Sequence, residues 1–187
     1  INISDEVYDD ILPGSVYGLS KLYKGKVKNA AAVLNPSCYC AGAMLGLAPL
    51  MHSEFFNANS IVIESKSGIT SLKDTDRLVD AEVSDDGGYK VYKLDNKQYS
   101  EEIKKQLEVI FGKRIVVSLN SYINGIKGIM TTIYADTAPS LDNGKASELY
   151  KKFYGDNPFV RVCEEGEFNN RTNNEIEASC IIELGCD

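Results

Sequence analysis

The order of hydrophobic and polar positions along the chain predicts a series of short strands interrupted by a few helices. Apolar, β-branched or alternating segments of strand length occur at residues 31–34, 60–65, 89–94, 115–119, 128–135, 159–163 and 179–186. The polar stretch 74–88 ends in a glycine pair and is predicted to be a loop. We expect about the first 25 residues to be irregular, with a turn at residues 12–15.

Three segments have the spacing of helices. The first runs from Cys38 to about residue 52, and because it is apolar on every side it is predicted to be buried. The second begins after Ser100, which is its N-cap, and its core positions are Ile103, Leu107, Ile110 and Phe111. The third spans residues 145–154, with Leu149 and Phe153 on its core face.

Strands and helices that do not alternate regularly predict the fold class. They favour an α+β fold with a largely antiparallel sheet and helices packed on one of its faces. The other face of such a sheet can meet a partner subunit. At 187 residues the chain can bury a full core, and we expect residues 1–187 to form a single domain.

Composition and charge exclude several function classes. The chain is 43% hydrophobic and 25% charged, as a soluble globular domain is, and no apolar run reaches the ~18 residues of a membrane span. A net charge of −7 argues against nucleic acid and anionic membranes as partners. No targeting signal is evident, so a cytoplasmic protein is expected. A single histidine makes a zinc site improbable, and we predict no metal site.

Cys38 stands between a predicted strand and the apolar helix. A thiol at a helix N-terminus lies beside unpaired backbone N–H groups, whose partial positive charge favours the thiolate and therefore a nucleophile. The alternative is a core residue, because free cysteine is among the most buried residue types. The chain has an odd number of cysteines, 5, which suits reduced thiols better than a disulfide framework. The other four are predicted to be inert core thiols: Cys40, Cys163, Cys180 and Cys186.

Four short motifs resemble one enzyme family. They are Val-Tyr-Gly-Leu at residues 16–19, Asn-Pro-Ser-Cys-Tyr at 35–39, Lys-Gly-Ile-Met-Thr-Thr at 127–132 and Pro-Phe-Val-Arg-Val at 158–162. In order and spacing they are similar to N-acetyl-gamma-glutamyl-phosphate reductase of arginine biosynthesis, from about residue 14 onward. That family begins with a dinucleotide-binding domain, and no G-x-G-x-x-G motif occurs in this sequence. We therefore expect the catalytic and dimerisation half of such an enzyme, either excised or naturally solitary.

The resemblance implies a reaction and its participants. The reaction would be the NADP-dependent reduction of a small-molecule acyl phosphate to a semialdehyde, through a thioester on Cys38. The resemblance further implies that NADP binds to a domain absent from this chain, so that the chain alone is inactive. It also favours a homo-oligomer formed through the sheet.

Several positions depart from the family pattern. Tyr99 stands where the family has its catalytic histidine. Ser121 and Lys127 replace a histidine and an arginine, and the resemblance makes them candidate substrate-binding residues. Gly68 and Thr70 lie in the counterpart of the family's glycine-rich loop, which makes them candidate cofactor-binding residues.

These departures leave a second hypothesis open. The chain could be a degenerate, non-catalytic paralogue that serves assembly or regulation. His52 does not replace the lost histidine, because on a continuous helix it would lie about 20 Å from Cys38. A histidine near the helix C-terminus is better explained by its interaction with the helix dipole.

Overall fold

The computed structural model describes residues 15–68, 78–82, 91–94, 97–124, 129–163 and 178–180. Contacts within the chain divide it into two compact units, residues 1–37 and residues 38–187. Each unit is described by itself below. The assignment of residues 1–187 to a single domain stays a prediction.

The smaller unit contains two strands and one helix, namely β1 (Ser15–Tyr17), α1 (Ser20–Val27) and β2 (Ala32–Leu34). β1 and β2 pair in parallel. The amide of Gly18 donates to the carbonyl of Leu34 at 2.8 Å, and a Cβ on Gly18 would lie only 3.0 Å from that oxygen. The expectation of irregular structure is therefore wrong for residues 15–25, because a pairing with a distant strand organises a segment that has no periodicity of its own.

The larger unit contains the remaining elements. They are α2 (Cys38–Met51), β3 (Phe56–Gly68), β4 (Leu78–Glu82), β5 (Val91–Leu94), α3 (Lys97–Phe111), β6 (Val116–Asn124), β7 (Ile129–Thr137), α4 (Asn143–Tyr154), β8 (Val160–Val162) and β9 (Ala178–Cys180). Five of these strands form one sheet in the order β4-β5-β6-β3-β7. β3 and β6 are parallel, and the other three neighbouring pairs are antiparallel. The α+β prediction with a largely antiparallel sheet is confirmed.

The interior strand β3 shows why the two faces of the sheet differ. Ile61 and Ile63 point to one face and are fully buried, whereas Val62 between them points to the other face and is exposed. α2, α3 and the sheet pack together on the buried face, and α4 packs against α2. The helices therefore lie on one side of the sheet, and the strand alternation of period two determines which side.

Two side chains of α4 form hydrogen bonds with backbone carbonyl groups in the C-terminal half of α2. Pro49 lies inside α2 and has no N–H to donate to the carbonyl of Leu45, four residues earlier. The hydroxyl of Tyr154 donates to this carbonyl at 2.5 Å, and the hydroxyl of Tyr150 donates to the carbonyl of Gly46 at 2.5 Å. Two tyrosines of α4 thus bind the part of α2 that proline weakens.

Three sequence-based predictions require correction in this unit. β4 lies within residues 74–88, which were expected to form a loop, because β5 supplies a pairing partner that the polar sequence does not reveal. α3 begins at Lys97 rather than Ser100, one turn earlier than its cap predicted. The buried positions of α4 are Ala146, Tyr150 and Tyr154 rather than Leu149 and Phe153, because the tyrosines reach the carbonyls of α2.

Candidate functional site

The predicted nucleophile lies at the first residue of the most apolar helix. Cys38 begins α2 and its side chain is exposed, whereas Cys40 two residues later is buried. No acidic residue occurs in the first turn of α2. Nothing in that turn therefore opposes the partial positive charge that a helix N-terminus offers to a thiolate.

The first turn of α2 is attached to the end of β3 by a hydrogen bond. The hydroxyl groups of Tyr39 and Ser67 share a buried hydrogen bond of 2.8 Å. Ser67 is the penultimate residue of β3 and pairs with Ile129, the first residue of β7. Cys38 consequently lies toward the edge of the sheet at which β3 ends and β7 begins.

Two glycines allow α2 to lie close against β7. A Cβ on Gly42 would lie 2.9 Å from Oγ1 of Thr131, and a Cβ on Gly46 would lie 2.7 Å from Cδ1 of Ile133. Both distances are shorter than side-chain contacts allow, so a larger residue at position 42 would clash with Thr131, whereas at position 46 the flexible end of the Ile133 side chain would have to move. Because both the helix and the strand residue numbers rise along these contacts, α2 and β7 run in the same direction.

A row of hydroxyl groups crosses the buried face beneath this helix. Ser65 pairs with Ser121 on β6 and with Thr131 on β7. The Ser65 and Thr131 hydroxyls lie 3.1 Å apart, within hydrogen-bond distance. No motif in the sequence pointed to Ser65, Ser67 or Thr131. The signal was present, since the two serines continue the alternation of Ile61 and Ile63.

Tyr99 lies next to Tyr39, the residue that follows Cys38. Its ring centroid is 4.7 Å from that of Tyr39, with the two ring planes inclined at 56°. Tyr99 is only 8% exposed. The structure therefore brings Tyr99 close to the start of α2 in an aromatic contact.

The remaining predicted site residues have different surroundings. Ser121 has 0% exposure and lies on the helix-covered face of the sheet. Gly68 is the last residue of β3, and its backbone pairs with Asn124 at the end of β6. Lys127 and Thr70 lie outside the described residues, so their roles, like those of Ser121 and Gly68, stay predictions.

Cys163 and His52 have partners outside this site. Cys163 is buried, and Nη2 of Arg161 donates to its sulfur at 3.2 Å, a cationic partner that the sequence analysis did not expect. His52 follows the last residue of α2, and its ring stacks on Phe153 with centroids 5.7 Å apart. The side chain of Cys180 and all of Cys186 lie outside the description.

The chemistry of the described residues suits a thiol site but not a dinucleotide site. Among them, no three His, Cys, Asp or Glu side chains come together as a metal site would require. No helix in the described ranges has both the length and the apolar character of a membrane span. Gly42 and Gly46 are occupied in packing against β7, and no glycine-rich turn joins a described strand to a helix.

Fold and site together define an α+β domain that presents the exposed thiol of Cys38 at the start of a buried helix, on a sheet whose opposite face is open. The model of one family, "Semialdehyde dehydrogenase, dimerisation domain", matches residues 38–187. The chain belongs to this family.

Several curated relatives carry the name N-acetyl-gamma-glutamyl-phosphate reductase, which confirms the resemblance found in the motifs. The protein from Caldicellulosiruptor bescii is 31% identical over 97% of this chain and 58% of its own length. Those from Acetivibrio thermocellus and Methanococcus maripaludis are each 31% identical, over 94% and 83% of this chain and 50% and 46% of their own lengths. The chain spans about half the length of the curated relatives it matches.

Solved structures agree on the fold. Aspartate semialdehyde dehydrogenase II of Vibrio cholerae, in complex with ASA, matches 88% of this chain and 52% of its own with a TM-score of 0.52 and 11% identity. A probable aspartate-semialdehyde dehydrogenase of Pseudomonas aeruginosa matches 82% of this chain and 52% of its own with a TM-score of 0.51 and 13% identity. At these identities the similarity supports the fold alone.

Proposed function

We propose that this chain is the catalytic domain of an NADP-dependent acyl-phosphate reductase that resembles N-acetyl-gamma-glutamyl-phosphate reductase, with Cys38 as the nucleophile. The observation that carries the proposal is the exposed Cys38 thiol at the first residue of α2. The names of the curated relatives, at about 30% identity over most of this chain, support the substrate class.

The proposed contribution of this chain is the formation of an acyl-enzyme. The thiolate of Cys38 attacks the carbonyl carbon of the acyl phosphate, a carbon–sulfur bond forms, and the bond to the phosphate oxygen breaks to release inorganic phosphate. NADPH, when bound, supplies the hydride that reduces the resulting thioester. Because the chain spans about half the length of its curated relatives, we assign the main NADPH site to a further domain of the longer protein.

The test uses the polypeptide that carries this domain together with its dinucleotide-binding domain. Supplied with N-acetylglutamate semialdehyde, phosphate and NADP⁺, it is expected to form NADPH. Cys38→Ala should lower the rate by ~10³-fold or more, since it removes the nucleophile. Cys40→Ala is the matched control, because it makes the same change at a buried thiol. Absence of NADPH formation by the unsubstituted protein would contradict the proposal.

A degenerate paralogue remains the second candidate, and one observation favours it. Tyr99 stands where the family pattern has a histidine and packs its ring against Tyr39. A tyrosine with an ordinary pKa near 10 is a weak base at neutral pH. A protein that binds an active reductase but forms no NADPH in the assay above would support this candidate.

We also propose that a second copy of this chain covers the open face of the sheet. Four apolar side chains on this face are exposed on three adjacent strands, namely Val62, Val116, Met130 and Tyr134. Beside them, Lys66 forms a salt bridge of 3.0 Å with Glu64. A largely apolar sheet face suits an identical face better than a charged partner. The dimerisation-domain family to which the chain belongs supports this choice of partner.

A further inference from the structure

Tyr39, which follows the proposed nucleophile, is hydrogen-bonded to strand β3 of the sheet. We infer that Tyr39 is a positioning residue, whose hydrogen bond to Ser67 holds the first turn of α2 so that the Cys38 thiol stays beside the helix N-terminus. The inference rests on the proposed function, because it assigns Tyr39 a part in presenting that nucleophile.

The bond between these hydroxyls is protected from water. Tyr39 is 3% exposed and Ser67 is 1% exposed, and their oxygens lie 2.8 Å apart. Water cannot readily replace either partner at such a site, so a change to one leaves the other buried without this bond. The bond therefore favours one position of the first turn of α2 over positions that are slightly shifted from it.

The Tyr39 side chain is held at two points. Its hydroxyl is bonded to β3, and its ring lies against the ring of Tyr99 on α3, with centroids 4.7 Å apart. Contacts with a strand on one side and a helix on the other restrict both the position and the rotation of the first turn. Cys38 is the adjacent residue, so the same restriction applies to its backbone.

Several other contacts of α2 lie further along the helix. Gly42 and Gly46 set how close the helix lies to β7. Tyr150 and Tyr154 bind carbonyl groups in the C-terminal half of α2. Tyr39 supplies a directional contact at the end of the helix where Cys38 lies.

A small displacement of this turn matters to the thiol. The influence of a helix N-terminus on a charge falls off within about one turn. Moving the Cys38 sulfur relative to the first N–H groups would reduce the stabilisation of its thiolate. Tyr39→Phe keeps the ring contact with Tyr99 and removes the bond to Ser67, so it isolates the positioning effect.

The experiment measures the pH dependence of Cys38 alkylation by iodoacetamide in the full chain, with each cysteine read by peptide mass spectrometry. In Tyr39→Phe we expect the rate at neutral pH to fall about two- to tenfold, as the loss of one typical hydrogen bond allows, and the midpoint of the profile to move to higher pH. Tyr154→Phe is the matched control. It removes another buried hydroxyl bonded to α2, so it should lower stability and leave the Cys38 profile unchanged.

A second variant keeps the test valid if Tyr39→Phe folds poorly. Ser67→Ala removes the other partner and should give the same shift, and the double variant should add little to either. An unchanged profile in both single variants, or an equal shift in Tyr154→Phe, overturns the inference alone. A wild-type Cys38 that reacts no faster than Cys163 contradicts the proposed function, and this inference with it.

Discussion

Tyr99 is the residue at which the motif resemblance implies a histidine. The tyrosine ring here packs against Tyr39 beside the proposed nucleophile. With 8% of its surface exposed, Tyr99 has little access to a substrate. Its surroundings are those of a packing residue, because its ring holds the ring of Tyr39 in the first turn of α2.

We predict that Tyr99→Phe has a small effect on the reaction. The variant keeps the aromatic ring and removes the ionisable hydroxyl, so the rate of NADPH formation should change by less than about tenfold. Removal of a general acid–base group costs ~10²–10⁴-fold, and a loss of that size would show that the Tyr99 hydroxyl takes part in proton transfer. The comparison is made at saturating substrate, with thermal unfolding as the control for folding.

At the scale of single residues, the sequence predicted that Cys38 lies at the start of a helix, but not which side chains hold that start in place. The position of Cys38 could be read from a local junction of strand and helix, and the structure has an exposed thiol there. The bond between Tyr39 and Ser67 joins residues 28 positions apart, and no local pattern predicts which of several tyrosines meets which serine. Partner choice of this kind is decided by tertiary packing.

At the scale of elements, the contact between α2 and β7 determines how close the helix lies to the sheet. This contact depends on a glycine pair spaced four residues apart, which places both glycines on one face of the helix. The two glycines have different neighbours. Gly42 faces Oγ1 of Thr131, which is bonded to Ser65, whereas Gly46 faces the terminal methyl group of Ile133.

We predict that Gly42→Ala is more destabilising than Gly46→Ala. The new methyl group at position 42 would meet a short side chain held by a hydrogen bond, and overpacking of this kind costs about 1–3 kcal/mol. The Ile133 side chain can rotate away from position 46, and the ~1 kcal/mol gain in helix propensity of alanine over glycine offsets the remaining strain. Urea unfolding of the two variants measures the difference, and an equal or reversed order would contradict the packing described for α2.

Element boundaries show where periodicity is sufficient and where it fails. The apolar run from Cys38 predicted α2 correctly, because a buried helix has hydrophobic residues on every side. The face of α4 was wrong by one position, since Leu149 and Phe153 fit the apolar spacing as well as the tyrosines do. Tyr154 is buried because Pro49 leaves the Leu45 carbonyl without its helical donor, and this need is visible only once the two helices are in contact.

At the scale of the whole molecule, the exposed apolar residues on the open face of the sheet indicate an interaction surface. Val116 on β6 is 68% exposed within this apolar face. Val109 on α3 is 68% exposed as well, but it lies on a helix that packs on the other side of the sheet. These two valines therefore offer the same residue type and the same exposure on opposite sides of the molecule.

We predict that Val116→Lys weakens self-association and that Val109→Lys does not. Burying an unpaired ammonium group in an apolar interface is costly, so Val116→Lys should raise the dissociation constant by about tenfold or more. Sedimentation velocity over a range of protein concentrations measures this constant for both variants. A dimer that is equally stable in both, or a wild-type chain that is monomeric at all concentrations, would show that the open face has another role.

The central claim concerns Cys38, and the alkylation of the unsubstituted chain tests it most directly. Iodoacetamide reacts with thiolates, so the rate at each pH reports the ionisation and the access of each cysteine. The account predicts that Cys38 is alkylated first, with a midpoint below the ~8.5 of a free cysteine, while the buried Cys40 and Cys163 react slowly in the folded chain. A Cys38 that reacts no faster than these two would be a packing thiol, and the proposal of a cysteine nucleophile would be wrong.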